Sequence, residues 1–444
     1  MRSGQRLTKA TKKSTNNLTK MELEGRSKRD IAQQVAGKNL KQAGYNGSVI
    51  AGTGFGKTRV LVNAGVEKVN NGPEKLLVLV PFDHLKDRFM TEFINVLGRT
   101  FGMYFWKTNV QAECYASIDK LDPSEYCLIL GDEIHLGLTD RCMEFYRKAE
   151  KAGVPMTFCT ATLPEDPEYR KRLLNIAPPV YEITIDECVT QGFVAPYTIE
   201  CVGIELTEKE ATKYKTVNAN FGFWKGKLGF DAFKFANVIL GNKKQYGKDM
   251  VEAALGFYRA IRQRKMLVDH AENKITMARL IVNTIKGKKL VFGGDNAFTD
   301  LLHESIDGSG VYHSKITDKK RKAALDDFRT GRTDVLCSTK ALNQGLDIPD
   351  ASVGVICGLT SKSLTMIQRV GRLVRRDPKD PDKTGRVVIV YVKNSQEQKW
   401  LTNSLKDIDA SNVVWIDAND YLVEEENDPV LFQDTIDGPH EKNI

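Results

Sequence analysis

An α/β fold of two parallel-sheet domains in tandem, with a helical insertion between them, is predicted by three observations. The chain has 444 residues, 41% apolar and 27% charged, which exceeds one ordinary doubly wound sheet and can fill two sizeable cores. Short apolar runs alternate with amphipathic segments in two separate blocks, as parallel sheets with crossover helices require. The stretch 206–274 between the blocks is Lys-rich and helical in period. The boundaries read in this way are a basic arm and lead-in helix over 1–46, a first domain over 47–203, the insertion over 204–282, and a second domain over 283–444 with an acidic extension.

The first block offers strands at 48–50, 76–80, 112–115, 126–130 and 156–160. Its first helix follows a glycine-rich turn, with 59–64 as the helical stretch. The second block repeats the alternation at 289–292, 310–312, 334–338, 353–356 and 386–391. No short-period repeat or low-complexity tract appears, which removes solenoid and collagen-like architectures.

A formal net charge of +8 fits a partner rich in phosphates. The surplus is uneven: the first thirty residues are basic and the end from Asp407 is acidic. Eight cysteines are scattered with no Cys-x-x-Cys pair and read as reduced core residues. No run approaches the apolar length of a membrane span, and Met1 to Lys20 lacks the apolar centre of a secretion signal. A soluble, cytoplasmic, monomeric protein without membrane contact is expected.

Ala51-Gly52-Thr53-Gly54-Phe55-Gly56-Lys57-Thr58 follows the first strand and opens a helix through Arg59. Glycines there permit a tight turn, and helix amides facing the turn cradle phosphates. Lys57 would reach the β- and γ-phosphates and Thr58 would offer a hydroxyl to Mg²⁺. Ala51 stands where the strict pattern has Gly, and a small side chain is the requirement. Downstream, the apolar strand 126–130 delivers Asp132 and Glu133 to the carboxyl end of the sheet. Two acids at that place divide the work: Asp132 holds the metal and Glu133 orients and deprotonates water. The pattern is that of a nucleoside-triphosphate hydrolase.

In the second block, Gln368-Arg369-Val370-Gly371-Arg372-Leu373-Val374-Arg375 puts Gln368, Arg372 and Arg375 on one helical face. Such arginines neutralise transition-state charge on a triphosphate. In this order, Ala51 to Thr58, Asp132-Glu133-Ile134-His135, Thr160-Ala161-Thr162, Gly345-Leu346-Asp347 and Gln368 to Arg375 resemble the motifs of superfamily-two helicases of the DExH type. Leu77 to Pro81 and Cys114 to Ile118 are similar to the family's supporting motifs. The stretches Gln191 to Pro196 and Leu206 to Glu210 look like the branch holding phage branch-migration (fork-remodelling) DNA helicases, as in T5-like phages, and XPB-like repair helicases.

This resemblance implies two RecA-like domains that close on ATP and reopen after hydrolysis, moving the protein 3′ to 5′ along single-stranded DNA at forks and branched junctions. A host-cell cytoplasm and contacts with replication or recombination proteins follow if the chain is phage-encoded. It implies that His135 senses the γ-phosphate, that Thr160 and Thr162 couple hydrolysis to strand binding, that Gly345 and Asp347 approach the ribose, and that Pro81, Ser117 and Thr339 lie along the strand. Gln33 is the candidate adenine reader, although the pattern around it is loose. Relatives that remodel forks often carry an extra amino-terminal domain, for which 1–46 leaves no room. Junction recognition is therefore assigned to the insertion, where Phe221, Phe223 and Trp224 alternate with lysines: aromatics stack on bases and lysines neutralise phosphates. Aromatics at helical spacing equally describe a core, and both readings stand. An RNA helicase, a duplex translocase without strand separation, and a non-hydrolysing clamp are the alternatives.

Overall fold

The structure is a computed structural model that describes residues 27–69, 74–97, 109–339, 351–359, 384–406 and 408–420. Arm residues 1–26, the acidic tail from 421, Gly345, Asp347, Gln368, Arg372 and Arg375 lie outside the described residues. The chain forms two compact units, one built on residues up to Pro196 and one beginning at Tyr197.

The first unit carries a six-stranded parallel sheet of β1 (Gly47–Ala51), β2 (Lys75–Val80), β3 (Val110–Cys114), β4 (Tyr126–Gly131), β5 (Met156–Thr160) and β6 (Pro179–Ile183), in the order β3-β2-β4-β5-β1-β6. β1 and β5 are buried at every position, which is why they read as continuous apolar runs rather than as alternating ones. β6 was not foreseen: it is an edge strand that opens on Pro179 and is only half-buried, so its apolar signal is weak. The helices are α1 (Lys28–Gln42), α2 (Lys57–Val69), α3 (His84–Leu97), α4 (Asp140–Lys151), α5 (Pro167–Ile176) and α6 (Ile185–Thr190). Ser27 caps α1, and Thr184 with Glu187 forms a capping box on α6. Phe145, Tyr146 and Phe158 anchor a core on one side of this sheet.

The second unit is a seven-stranded sheet in the order β13-β7-β12-β11-β8-β10-β9, parallel at every pairing. Its strands are β7 (Tyr197–Ile204), β8 (Lys289–Phe292), β9 (Gly310–Tyr312), β10 (Val335–Ser338), β11 (Val353–Ile356), β12 (Gly385–Val392) and β13 (Val413–Asp417). Residues 197–203, placed by the sequence in the first domain, therefore belong to the second sheet. β7 pairs along its whole length with β12 and, from Ile199 to Gly203, with β13, so moving it would strip partners from both. β13 also escaped the sequence reading, because its residues are half-buried or exposed.

Between β7 and β8 run α7 (Glu208–Leu228), α8 (Ala232–Gly241), α9 (Lys248–Asp269) and α10 (Glu272–Thr284). Thr207 and Glu210 form the capping box that starts α7. α7, α8 and α9 share a small core around Ala236, Ile239, Ala254 and Phe257, whereas Met277, Ala278 and Ile281 of α10 pack into the core of the sheet. The insertion is thus helical as expected, and its last helix is part of the α/β layer. The unit is completed by α11 (Asn296–Ser305), α12 (Asp318–Thr330) and α13 (Gln396–Ser404). Among the described residues no helix is long and apolar enough to cross a membrane. All eight cysteines are free, and seven are buried.

Candidate active site

Three neighbouring strands of the first sheet, β4, β5 and β1, deliver the motif residues to one carboxyl edge, the edge at which open parallel sheets bind ligands. After β1 the chain turns through Gly54 at φ +90° and Gly56 at φ +92°. Neither position tolerates a side chain: a Cβ on Gly54 would lie 2.2 Å from Val194 Cγ1, and one on Gly56 2.3 Å from Gln33 Nε2. The loop then enters α2 at Lys57, where the Arg59 and Val60 amides donate to the Gly56 carbonyl and the helix start presents its leading amides to a ligand.

Three contacts fix the loop from behind. The Gln33 Nε2 donates to Phe55 O at 2.6 Å. Lys57 Nζ donates to Ala51 O at 2.9 Å, so the ammonium folds back over the turn. The Phe55 side chain is fully buried and stacks on Tyr181 at 5.4 Å between ring centres, with Phe193 at 6.2 Å. Phe55, expected at the nucleotide, therefore offers only its backbone there, since its ring is core. Arg59 is exposed and lies 3.8 Å from Asp30 of α1.

The acidic pair follows β4. Gly131 ends the strand where a Cβ would meet Phe158 at 2.5 Å, and Tyr115 Oη donates to the Asp132 carbonyl at 2.9 Å. Asp132 Oδ1 accepts the Glu133 amide at 3.1 Å. Glu133 adopts the left-handed conformation, φ +48° and ψ +52°, a strained state for a residue of this type that tends to mark functional sites. Burial pushes the Asp132 carboxyl up, the neighbouring Glu133 charge adds to that, and Lys57 pulls it back down. Glu133 Oε2 is a buried oxygen that accepts no hydrogen bond; His135 Nδ1 is 3.4 Å away. His135 Nδ1 also meets Thr160 Oγ1 at 3.1 Å, and Thr160 Oγ1 donates to Thr162 O at 3.2 Å. His135, Thr160 and Thr162 thus form a hydrogen-bonded chain whose first member lies 3.4 Å from Glu133 Oε2.

These residues fit a triphosphate with Mg²⁺. Mg²⁺ is held by one or two protein oxygens together with substrate phosphates, and Thr58 at the start of α2 and Asp132 after β4 carry oxygens of that kind. The turn amides at Thr53, Gly54 and Gly56, the α2 amides at Lys57 and Thr58, and the Glu133 carboxylate supply the remainder.

The residues expected to touch a nucleic-acid strand are dispersed. Pro81 follows β2 and Ser117 sits in the turn 115–120 after β3, both on the carboxyl edge of the first sheet. Thr339 follows β10 in the second sheet and is buried. In the insertion, Trp224 packs onto α9, where a Cβ on Gly256 would come within 2.5 Å of its ring. Phe221 stacks on Phe257 at 5.5 Å. Phe223 is half-exposed and Phe230 is fully exposed, while Lys227 Nζ lies 4.8 Å from the Phe223 ring centre. Tyr115, Tyr181, Phe193 and Val194, which position the loop and the acids, were not singled out for that role. The glycines at 54 and 56 were the available signal, since each implies a close neighbour.

Residues 271–377 match the family described as helicase conserved C-terminal domain. The chain is similar to the DNA 3'-5' translocase XPB2 of Sulfurisphaera tokodaii, 23% identical over 58% of this chain and 57% of that protein. It is also similar to the ATP-dependent RNA helicase DBP5 of Kluyveromyces lactis, 27% identical over 30% of this chain and 32% of the relative. The DEAD-box ATP-dependent RNA helicase 7 of Oryza sativa is 25% identical over 73% and 43% of the two chains. The chain thus spans less than two thirds of each of these relatives. Among solved structures, the Hef helicase domain of Pyrococcus furiosus matches with a TM-score of 0.56 at 15% identity, over 88% of this chain and all of that one. Dbp5 of S. cerevisiae bound to RNA and ADP BeF3 matches with 0.57 at 16%, over 95% and 97%. These likenesses show the tandem RecA-like fold expected from the sequence.

Proposed function

We propose that the chain is a nucleic-acid-dependent ATPase, a DNA helicase or translocase that tracks on single-stranded DNA and unwinds or branch-migrates forked and junction DNA, 3′ to 5′. The observation that carries the reading is the single edge on which the Gly54–Gly56 turn, Lys57 and the Asp132–Glu133 pair converge. Lys57 would leave the Ala51 carbonyl for the β- and γ-phosphates, a short move for a flexible side chain. Mg²⁺ would be held through Thr58 and Asp132 and would neutralise phosphate charge. Glu133, with a carboxylate oxygen that accepts no hydrogen bond, would take the proton of the attacking water. His135 and Thr160 would carry the state of that carboxylate to Thr162 and onward to the strand-binding loops near Pro81 and Ser117. Gln33 would read adenine with the carbonyl end of its amide, its nitrogen being committed to Phe55. Arg372, Arg375 and Gln368 are proposed to meet the terminal phosphoryl group, and Gly345 and Asp347 the ribose.

DNA is favoured because the XPB2 relative is a DNA 3'-5' translocase matched over 265 residues. RNA is the second reading, since the relatives matched from Kluyveromyces lactis and Oryza sativa are RNA helicases. ATP hydrolysis measured in parallel with single-stranded, forked and four-way DNA and with RNA separates the two. Stimulation by forked or four-way DNA well above that by RNA is expected. The reverse order would make the chain an RNA helicase. Lys57→Ala and Glu133→Gln should abolish hydrolysis while DNA binding largely survives.

A further inference from the structure

We propose that the second unit holds a separate binding site for a nucleotide-sized phosphate ester, in the cleft between the α7–α9 arm and the start of α13. The cleft encloses about 550 Å³ and contains the cations Arg264 and Lys399, with no carboxylate among its described lining residues. That volume suits a mononucleotide and is far more than a simple anion needs.

The cleft is built from fixed hydrogen-bond donors. Tyr214 Oη donates to Gln396 Oε1 at 2.6 Å, which sets the orientation of that amide and turns Nε2 away from Tyr214. Gln396 Nε2 is buried and has no partner. Arg264 lays its guanidinium face on Phe221, 4.1 Å from the ring centre. Stacking uses the face and leaves the in-plane N–H groups to point outward, and Arg264 Nε is also buried without a partner. Both side chains line the same polar cleft, and each keeps a donor without a protein partner, a set matched by a ligand made of acceptors.

The local fold explains why the donors sit there. β12 ends at Val392, and the chain turns through Asn394 in the left-handed region, φ +56°, before Ser395 caps α13. Asn394 N donates to Gln398 Oε1 at 3.0 Å, closing the turn. Gln396 and Lys399 are spaced by three on α13 and share a face. Between them, Glu397 points inward to Lys274, so its charge is neutralised and the helix N-terminus keeps its attraction for anions. The site lies at the carboxyl end of β12, the ligand-binding edge of a parallel sheet, and does not depend on the ATPase reading.

A phosphate ester of this size comes from a nucleic-acid chain or from a free nucleotide. Full-length protein, Gln396→Glu and Lys399→Glu are compared by fluorescence anisotropy with labelled dT20 and rU20, and by calorimetric titration with AMP. Gln396→Glu keeps the acceptor for Tyr214 and replaces the free donor by an anion. Weakening of about tenfold is expected for it, and Lys399→Glu should lower the salt dependence of oligonucleotide binding by about one counterion. Loss confined to the oligonucleotides supports a nucleic-acid strand as the ligand, and loss confined to AMP supports a free nucleotide. Melting temperature monitors folding of each variant, and if Gln396→Glu unfolds, Lys399→Glu alone decides. Unchanged affinity for all probes in a folded variant overturns the proposal.

Discussion

Replacing Lys274 by Met is the perturbation whose size the structure sets most directly. Lys274 and Glu397 form an ion pair at 2.7 Å with neither side chain exposed. Lys274 also donates to Cys357 O at 2.8 Å, and Glu397 Oε2 accepts the Val392 amide at 3.0 Å. The pair therefore ties α10 to the end of β11 and to the turn after β12. Removing one member of such a pair leaves a buried charge alone, at a cost of about 3 to 5 kcal/mol. For a unit of this size that corresponds to a fall in melting temperature of roughly 6 to 20 °C.

The loss must also depend on pH. Burial already raises the Glu397 carboxyl above its usual 4.5, and Lys274 is the main influence lowering it. Without Lys274 the folded-state value rises further, so the variant binds a proton on folding. Its stability is then fullest below about pH 4.5 and declines as pH rises toward the elevated folded value. Calorimetric melts of wild type and variant between pH 5 and 8 should diverge as pH increases. Lys274→Met with Glu397→Gln, which keeps an acceptor for Val392, should melt above the single variant at pH 8. A single variant melting within about a degree of wild type would refute the argument, and a pH-independent gap would show that Glu397 stays ionised.

Three further outcomes follow from the geometry. Gly54→Ala combines a positive φ with a 2.2 Å approach to Val194, and titration should show nucleotide affinity reduced at least about tenfold, because strain of about 1–3 kcal/mol distorts the loop. Gln33→Ala leaves the Phe55 carbonyl without its 2.6 Å donor, and a loss of about 1–3 kcal/mol should appear in chemical denaturation, together with weaker ATP binding. Trp224→Ala opens a void against Gly256 and should cost about 3–5 kcal/mol. An unchanged melting temperature with impaired DNA unwinding would instead place Trp224 at the nucleic acid.

The parts of this molecule that were legible in the sequence are those whose physics is local. β5, β8, β9 and β11 fall on the residues read from their apolar runs, and the Gly52–Thr58 turn lies where a glycine-rich loop between strand and helix must lie. Gln33 was a candidate from a loose pattern, and the structure puts it against the Gly52–Thr58 turn, with its nitrogen held by the Phe55 carbonyl. What stayed hidden depends on distant partners. Pro179 and the half-exposed Val413-Val414-Trp415 carry edge strands whose assignment rests on neighbours far along the chain. Phe55 looked like part of a ligand loop because nothing nearby in sequence announces Tyr181 or Phe193. The aromatic insertion remained ambiguous for the same reason: Trp224 is committed by Gly256, thirty-two positions away, whereas Phe230 has no such neighbour and projects into solvent.

β7 has a practical consequence for anyone cutting this protein into pieces. Because that strand alone joins β13 to the rest of its sheet, an expression fragment starting after Ile204 would cast off β13 and bare the long, apolar flank of β12 to self-association. A fragment starting at Pro196 keeps both seams closed. The two halves should be separated at the Ala195–Pro196 junction, eight residues before the end of the first domain as the sequence alone would draw it.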